Sequence, residues 1–260
     1  MTTADRRALT DAVSALALEA GAAIMRIYEG SPQVTTKADK TPVTDADRAA
    51  ETIILAGLKR LTPDTPAVAE EAVAAHGLPQ NVGSRFWLVD PLDGTREFIS
   101  RNGEFTVNIA LIEDRRPTLG VLLAPAKEGG LLYAGHGHGT ATLAQGGGTP
   151  RPIAARPAPR EGLTVLISRS HAEKTTIDEF LARYPVRERV QVGSALKFGV
   201  LAEGAGDLYV RLGRTMEWDT AAGHAVLIAA GGQVETLEGD EFLYAKPGFE
   251  NPHFVARGRV

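Results

Sequence analysis

Acidic residues stand at several places in this chain where an apolar strand pattern ends or a helical pattern begins. Asp90 and Asp93 follow the apolar run at 86–89 in the stretch FWLVDPLDGTREF, and Glu70 follows the run AVA. Asp219 stands at the start of a helical pattern. Residues held at the ends of rigid elements often carry function. These four carboxylates form one strongly acidic pocket if folding brings them together.

Such a pocket favours cations. Two carboxylates about 4 Å apart repel by roughly 4 kcal/mol at an effective dielectric constant of about 20, so the group must take up protons, disperse or bind a cation. Oxygen ligands without neighbouring cysteine or histidine favour Mg²⁺ or a similar divalent ion. Two ions that share a bridging carboxylate are suited to phosphoryl transfer. The pattern therefore predicts a divalent-metal site at these four positions.

Each acidic position also has a purely structural interpretation. Asp47 is the third residue after Thr44, and the pair resembles a helix-capping box. Asp219 is favourable at a helix N-terminus because of the helix dipole. Asp93 begins an Asp-Gly pair that is common in turns, and the two glutamates at 70–71 are consistent with a solvated loop. The combination, rather than any single position, points to function.

Gly94 and Thr95 follow the acidic pair directly and begin a short helical pattern, TREFIS. The first amide N–H groups of a helix have no partner inside the helix, and they bind phosphate oxygens well. The stretch DPLDGT therefore predicts carboxylates for metal ions and amides for a phosphate group.

Composition limits the class of protein. The chain has 260 residues, 43% of them apolar, and a formal charge of −4, which does not suggest a nucleic-acid-binding surface. It has no cysteine, which excludes disulfides and thiolate metal sites. No run approaches eighteen uninterrupted apolar residues, and the first 25 residues lack a signal-peptide pattern, so we expect no transmembrane segment and a cytoplasmic location.

Two arrangements of elements follow one another along the chain. A helix pattern from about Val13 ends at Gly30, and a second helix after Thr44 stops before Pro63. Strand patterns joined by short turns follow, and they predict an antiparallel sheet covered on one face by the helix pair. These strands are predicted at 67–69, 86–89, 106–112, 118–124, 131–134 and 140–143.

A Gly-, Pro- and Arg-rich stretch, 146–162, predicts a boundary between two halves, 1–148 and 149–260. After it strands alternate with helices, which predicts an α/β second half. The predicted strands are 163–167, 190–192 and 208–211, and the predicted helices are 172–184, 195–203 and 219–230.

Longer motifs in the chain carry a family resemblance. WLVDPLDGT, AEE and EWDTAAGHAVLIAAGG resemble the inositol-monophosphatase superfamily of Mg²⁺-dependent, lithium-sensitive phosphatases. DGTREFISRNGEFTVNIALIE and GSALKFGVLAEGAGDLYVRLG are similar to its 3′(2′),5′-bisphosphate nucleotidases of the CysQ type. The resemblance covers nearly the whole chain and implies an α/β fold of the α+β kind, an αβαβα layered sandwich.

The resemblance also implies roles for individual residues. Thr95 and Asp47 would orient and deprotonate the attacking water, together with a metal ion held in part by Glu70. Two Mg²⁺ ions, with room for a third, are implied as cofactors. The implied metal ligands are Glu70, Asp90, the main-chain carbonyl of Leu92, Asp93 and Asp219. The residues implied around the phosphate and the nucleotide are Gly94, Thr95, Ser168, Ser194, Lys197, Arg211 and Asp219.

The expected activity is hydrolysis of the 3′-phosphate of adenosine 3′,5′-bisphosphate to AMP and phosphate. Two alternatives stay open: an inositol monophosphatase or another small sugar-phosphate phosphatase, and a non-catalytic regulator that binds a phosphorylated metabolite. The expected partner is a small nucleotide, not a nucleic acid polymer. The expected state is a cytoplasmic monomer or homodimer, with peripheral association with the inner membrane left open.

Overall fold

A computed structural model describes residues 2–30, 34–36, 42–169 and 174–259 of the chain. The helices are α1 (Thr3–Glu29), α2 (Asp45–Leu61), α3 (Glu70–His76), α4 (Thr95–Ile99), α5 (Lys174–Leu181), α6 (Leu196–Ala202) and α7 (Glu217–Ala229). The strands are β1 (Val34–Thr36), β2 (Pro42–Thr44), β3 (Ala67–Ala69), β4 (Arg85–Asp93), β5 (Thr106–Glu113), β6 (Arg116–Ala124), β7 (Leu131–Gly135), β8 (Thr142–Gln145), β9 (Arg151–Pro152), β10 (Leu163–Ile167), β11 (Val186–Gln191), β12 (Leu208–Arg211), β13 (Gln233–Thr236) and β14 (Phe254–Arg257). A short 3₁₀ turn covers Pro247–Phe249.

The two large sheets differ in their connections. Strands β3 to β9 form a seven-stranded sheet in sequence order, antiparallel throughout except for the parallel pair β3–β4. The second sheet has five strands in the order β11-β10-β12-β14-β13, with β10 parallel to both of its neighbours and β14 antiparallel to both of its own. The predicted antiparallel first sheet and α/β second half are therefore confirmed.

Three apolar cores separate five layers. One core lies between the helix pair α1–α2 and the first sheet and includes Ile24, Ile54 and Trp87. A second core lies between the two sheets, with α6 and α7 inside it. A third core packs α5 on the outer face of the second sheet around Val165 and Leu181. The layers are therefore α, β, α, β and α, as the resemblance implied.

Local signals set the ends of the first two helices. The Thr44 side chain accepts a hydrogen bond from the Ala46 amide, and the Asp47 carboxylate accepts one from the Thr44 amide, so the predicted capping box is present. α1 ends where the Gly30 amide donates to the Ile27 carbonyl.

Several predicted bounds are wrong because tertiary pairing decided them. Glu70 and Glu71 begin a helix instead of a solvated loop. α7 begins two residues before Asp219. β11 begins four residues earlier than predicted, at Val186, where it pairs with β10. The helix predicted at 172–184 ends at Leu181, and residues 172 and 173 lie outside the described part of the chain.

Further strands were not predicted. β13 and β14 complete the second sheet and pair with each other. In each of them the alternation of apolar and polar residues is too short to predict a strand from the sequence. β1 and β2, which pair with each other, were not predicted either. Residues 37–41 between them lie outside the described part of the chain.

A bulge near the end of β4 determines which way its carboxylates point. Asp90 pairs with Asn108 and Asp93 pairs with Thr106, so three steps along β4 match two steps along β5. Strict alternation would place the two aspartates on opposite faces of the sheet, and one extra residue returns Asp93 to the Asp90 face. Pro91, which has no amide hydrogen to donate, lies inside this bulge.

Among the described helices, α1 alone is long and apolar enough to cross a bilayer. This resemblance to a membrane-spanning helix rests on length and composition alone. Buried core helices of soluble proteins have the same length and composition. Its side chains Val13, Ala17 and Ile24 are fully buried in the core against α2 and the first sheet. The helix is therefore part of the fold.

Candidate active site

Three elements bring the predicted metal ligands to one place. β3 and β4 are parallel neighbours, so Glu70, directly after β3, and Asp90, near the end of β4, lie at the same edge of the sheet. Asp93 follows on the same face after the bulge. Asp219 comes from the first turn of α7, which packs on β4, β5 and β6.

Main-chain amides orient three of these carboxylates. The Leu92 amide donates to Asp90 Oδ1 at 3.0 Å, and the Met216 amide donates to Asp219 Oδ2 at 2.8 Å. Asp93 Oδ2 accepts the amide of Ala195 at 2.6 Å. Each carboxylate is therefore held through one oxygen.

Burial and neighbouring negative charges raise the pKa of two of these carboxylates, Asp90 and Asp219. Burial raises the pKa of Asp90 well above its ordinary value, and the negative charges of Glu70 and Asp93 raise it further, followed by that of Asp219. Burial also raises the pKa of Asp219, with Asp93 and then Glu70 adding to it. Ionised carboxylates in this position need a positive partner.

The donor set fits a hard divalent cation in its chemistry, because every predicted ligand is an oxygen. Within the described ranges, however, no three acidic or histidine side chains converge closely enough to enclose an ion as they stand. A bound cation would have to draw the carboxylates inward against the repulsion that raises their pKa values.

Asp47 faces two ways. Its Oδ2 accepts the Thr44 amide at 2.7 Å and the Thr44 hydroxyl at 2.6 Å, so this oxygen caps α2. Its Oδ1 lies 3.5 Å from the hydroxyl of Thr95, the first residue of α4. The contact is long for a hydrogen bond, as is common at catalytic groups without substrate. The capping interpretation and the catalytic one are therefore compatible.

A cleft of about 230 Å³ opens beside the carboxylates. It brings Asp93 and Asp219 together with residues of the second half of the chain. The predicted phosphate and nucleotide contacts that line it are Gly94, Ser168, Ser194, Lys197 and Arg211. Two further arginines, Arg96 and Arg214, also line it. We call Asp93, Asp219 and the neighbouring Asp90 the acidic wall of this cleft, and Lys197 and Arg211 its cationic wall.

Lys197 is buried, with 3% of its surface exposed, so it is not a solvated surface charge. Its Nζ donates to the carbonyls of Val192 at 3.1 Å and Ser194 at 2.5 Å, and it lies 5.0 Å from the centre of the Tyr209 ring. Burial lowers the pKa of Lys197 to about 8.

Ser194 connects the two halves of the chain. Its hydroxyl donates to Asp93 Oδ2 at 2.6 Å and lies 2.6 Å from the hydroxyl of Thr106. The residue has a positive φ of 54°, which residues other than glycine rarely adopt. The backbone is held there by the Lys197 ammonium, which binds the Ser194 carbonyl. Arg211 is half-buried and donates to the carbonyl of Arg214 at 3.2 Å.

Glu104 is a residue that sequence reasoning missed. It is 6% exposed, and its Oε2 accepts the Gly193 amide at 2.8 Å and the Arg169 guanidinium at 2.9 Å. Lys127 approaches its other oxygen at 3.3 Å. Glu104 thereby ties the segments that carry Ser168 and Ser194 to the first sheet. A lone Glu between Gly103 and an apolar run was the only signal.

Glu51 was also missed. Its Oε2 accepts the Glu71 amide at 2.8 Å, so it anchors the start of α3 beside Glu70. Burial raises the pKa of Glu51 to about 7. In the sequence, a charged residue on α2 is expected to be exposed. Only the packing of α3 against α2 shows that Glu51 is buried.

Comparison with known proteins identifies the fold family. Residues 5–256 match the Inositol monophosphatase family. The chain is 45% identical over 249 residues to 3′(2′),5′-bisphosphate nucleotidase CysQ of Salmonella typhimurium, covering 95% of this chain and 98% of that protein. It is 41% identical to the protein of the same name from Buchnera aphidicola over 255 residues, 96% of this chain and 94% of that one.

A solved structure agrees. The crystal structure of CysQ from Bacteroides thetaiotaomicron, described as a bacterial member of the inositol monophosphatase family, superimposes with a TM-score of 0.80 at 34% identity. The match covers 97% of this chain and 98% of that one. These similarities confirm the resemblance carried by the sequence motifs. The chain belongs to the inositol monophosphatase family and is a phosphatase.

Proposed function

We propose that this phosphatase removes the 3′-phosphate of adenosine 3′,5′-bisphosphate, giving AMP and phosphate. The cleft that joins an acidic wall to a cationic one is the observation that supports this best. A substrate with two phosphates needs metal-coordinating carboxylates for the group that is cleaved and fixed cations for the group that stays. The similarity to nucleotidases named CysQ supports the same substrate.

Enzymes of this family depend on Mg²⁺, and we propose two ions here, with a third, weaker one near Glu70. Glu70, Asp90 and the Leu92 carbonyl would hold the first ion. Asp90, Asp93 and Asp219 would hold the second. When bound, the ions would lower the pKa of the attacking water and stabilise the charge on the leaving ribose oxygen.

Thr95 and Asp47 position the water and take its proton. Thr95 Oγ1 donates toward Asp47 Oδ1, which leaves an oxygen lone pair on Thr95 to accept a hydrogen bond from the water. The water oxygen bonds to phosphorus as the bond from phosphorus to O3′ breaks, with no covalent intermediate on the protein. The amides of Gly94 and Thr95 are proposed to bind the phosphoryl oxygens.

Lys197 and Arg211 are proposed to bind the 5′-phosphate. Both line the cleft. Lys197 is already oriented by two carbonyls, so little side-chain freedom is lost when a phosphate binds. Ser168 and Ser194 border the same space and are proposed as nucleotide contacts.

The halves 1–148 and 149–260 are our proposed division of the chain. In that division the first half supplies every predicted metal ligand except Asp219, and the second half supplies Ser168, Ser194, Lys197 and Arg211. We further propose a cytoplasmic location, with a monomer or a homodimer as the functional state.

A phosphate-release assay tests the function. The substrates are adenosine 3′,5′-bisphosphate, inositol 1-phosphate and fructose 1,6-bisphosphate, each with and without Mg²⁺ and with added Li⁺. We expect Mg²⁺-dependent, Li⁺-inhibited release that is fastest from the nucleotide. Faster release from either sugar phosphate would overturn the substrate assignment, and no release from any of them would favour a binding protein.

A further inference from the structure

Asn108 is a buried polar residue without an evident structural purpose. It lies in the middle of β5, between the apolar side chains Val107 and Ile109, and 1% of its surface is exposed. Within the part of the chain that the structure describes, neither its amide nitrogen Nδ2 nor its oxygen Oδ1 has a hydrogen-bond partner. An unpaired buried amide destabilises a fold, so such a group calls for an explanation.

The strand register places Asn108 directly opposite Asp90. Side chains of directly paired antiparallel residues point to the same face, with Cβ atoms about 4.5–5.5 Å apart. That face is the one that turns toward α7, because Ala110, two residues along β5, lies in the core between the sheets. Asn108 is therefore the cross-strand neighbour of a predicted metal ligand.

The next pair along the same two strands shows what such a neighbour does. Asp93 is paired with Thr106, and Thr106 reaches Asp93 through the hydroxyl of Ser194, with both oxygen–oxygen distances at 2.6 Å. Each of the two β4 aspartates thus faces one polar residue of β5. In the Asp93 pair the polar residue supports the carboxylate, whereas in the Asp90 pair the Asn108 amide has no hydrogen-bond partner among the described residues.

We propose that Asn108 is a positioning residue for Asp90. When a divalent cation is bound, its Nδ2–H donates to the Asp90 carboxylate and holds that group in the orientation that ligates the ion. A neutral amide suits this position because it donates a hydrogen bond without adding a positive charge that would repel the cation. The inference rests on the proposed metal-dependent function, since Asp90 has this role only if a cation binds.

The test substitutes Asn108→Leu, which keeps the number and branching of the side-chain heavy atoms and removes both polar atoms. Mn²⁺ affinity is measured by titration calorimetry or by electron paramagnetic resonance on the full chain, and the melting temperature is measured without metal. We expect the metal-free variant to melt at the same temperature as the wild type or higher, because an unpaired amide has been removed. We expect its Mn²⁺ affinity to fall about 10- to 100-fold.

Thr164→Val is the matched control. Thr164 is 3% exposed in β10, and its hydroxyl is paired with Glu188 at 2.8 Å. Losing this pairing is expected to lower the melting temperature and leave Mn²⁺ affinity unchanged, the opposite of the pattern for Asn108.

Two outcomes separate this inference from the proposed function. An Asn108→Leu variant that melts lower and binds Mn²⁺ with wild-type affinity makes Asn108 purely structural and overturns the inference, while the function stands. Wild-type protein that neither binds Mn²⁺ nor releases phosphate overturns both. If the Leu variant does not fold, Asn108→Ala serves for the same affinity measurement, and unchanged affinity there likewise overturns the inference.

Discussion

The two walls of the cleft differ in how the surrounding protein stabilises their charged groups. On the acidic wall, burial and neighbouring negative charges raise the pKa of Asp90 and Asp219 well above the ordinary range. On the cationic wall, Lys197 and Arg211 already donate to main-chain carbonyls. Negative charges therefore crowd the acidic wall, whereas main-chain carbonyls organise the cationic wall.

This difference separates what a metal ion must do from what the protein does alone. Negative charges raise the pKa of Asp90 and Asp219 on the acidic wall, where we propose that divalent cations bind, so changes there should be severe. The cationic wall is preorganised, so changes there should be graded and should depend on the substrate. The expected effects below run from the largest to the smallest.

Asp93→Asn should abolish turnover while the protein stays folded. The substitution removes one ligand charge but keeps the side-chain shape and an oxygen able to accept the Ala195 amide. We expect kcat to fall on the order of 10³-fold or more, equivalent to about 4 kcal/mol of lost transition-state stabilisation. Phosphate release and circular dichroism measure the two effects. Asp11→Asn, an exposed change on α1, is the control. Near-normal Mg²⁺-dependent activity of Asp93→Asn would make the metal assignment wrong.

Thr95→Ala should lower kcat by about 10²-fold with little change in KM, because the hydroxyl acts on the water and not on substrate binding. Thr95→Ser keeps the hydroxyl near Asp47 Oδ1 and should restore most of the rate. Steady-state kinetics with the bisphosphate nucleotide measures both variants. An inactive Ser variant, or an Ala variant that changes KM alone, would contradict a role in orienting the water.

Lys197→Met should raise KM for adenosine 3′,5′-bisphosphate about 10-fold and change KM for a simple phosphomonoester much less. The wild-type KM for the bisphosphate should also rise above pH 8, because the pKa of Lys197 is about 8 and its charge is lost there. That rise should be absent in the variant. Lys59→Met, an exposed change on α2, is the control. Equal effects on both substrates would exclude contact with the 5′-phosphate.

The metal-free protein should lose stability as the pH rises. The pKa of Asp90 and of Asp219 is higher in the folded chain than in the unfolded chain, so their protonated forms stabilise the fold at low pH and this contribution is lost as pH rises through the folded values. Glu51 adds a loss near pH 7. Burial lowers the pKa of His224 from 6.5 to about 3, so this group adds stability as the pH rises to about 6.5 and opposes the loss below that value. The melting temperature should therefore fall between pH 6.5 and 8, and excess Mg²⁺ should reverse the part due to the aspartates.

Glu51→Gln separates the contributions to this pH dependence. The substitution should reduce the change of melting temperature with pH around pH 7. The change that is due to Asp90 and Asp219 should remain. Differential scanning calorimetry across the pH range measures both proteins. A metal-free wild type whose stability rises over this range would show that the carboxylates are not crowded as the structure places them.

Much of the fold was predictable because its signals are local. Thr44 and Asp47 set the start of α2 through neighbouring backbone groups, and the bounds of β12 followed from four residues between turns. α3 and β13 were not predictable, since each depends on a partner distant in the chain: Glu51 for the start of α3, and β14 for β13.

For the site, the sequence by itself determined the chemistry: which residues carry carboxylates, hydroxyls and fixed charges, and which short stretches surround them. Only the tertiary structure decided how those groups act on each other. The β4 bulge turned Asp93 to the Asp90 face, packing buried Lys197, and strand pairing set Asn108 opposite Asp90. The physical reason is that burial, pKa and hydrogen-bond partnership depend on distances in space, which no local pattern of residues specifies.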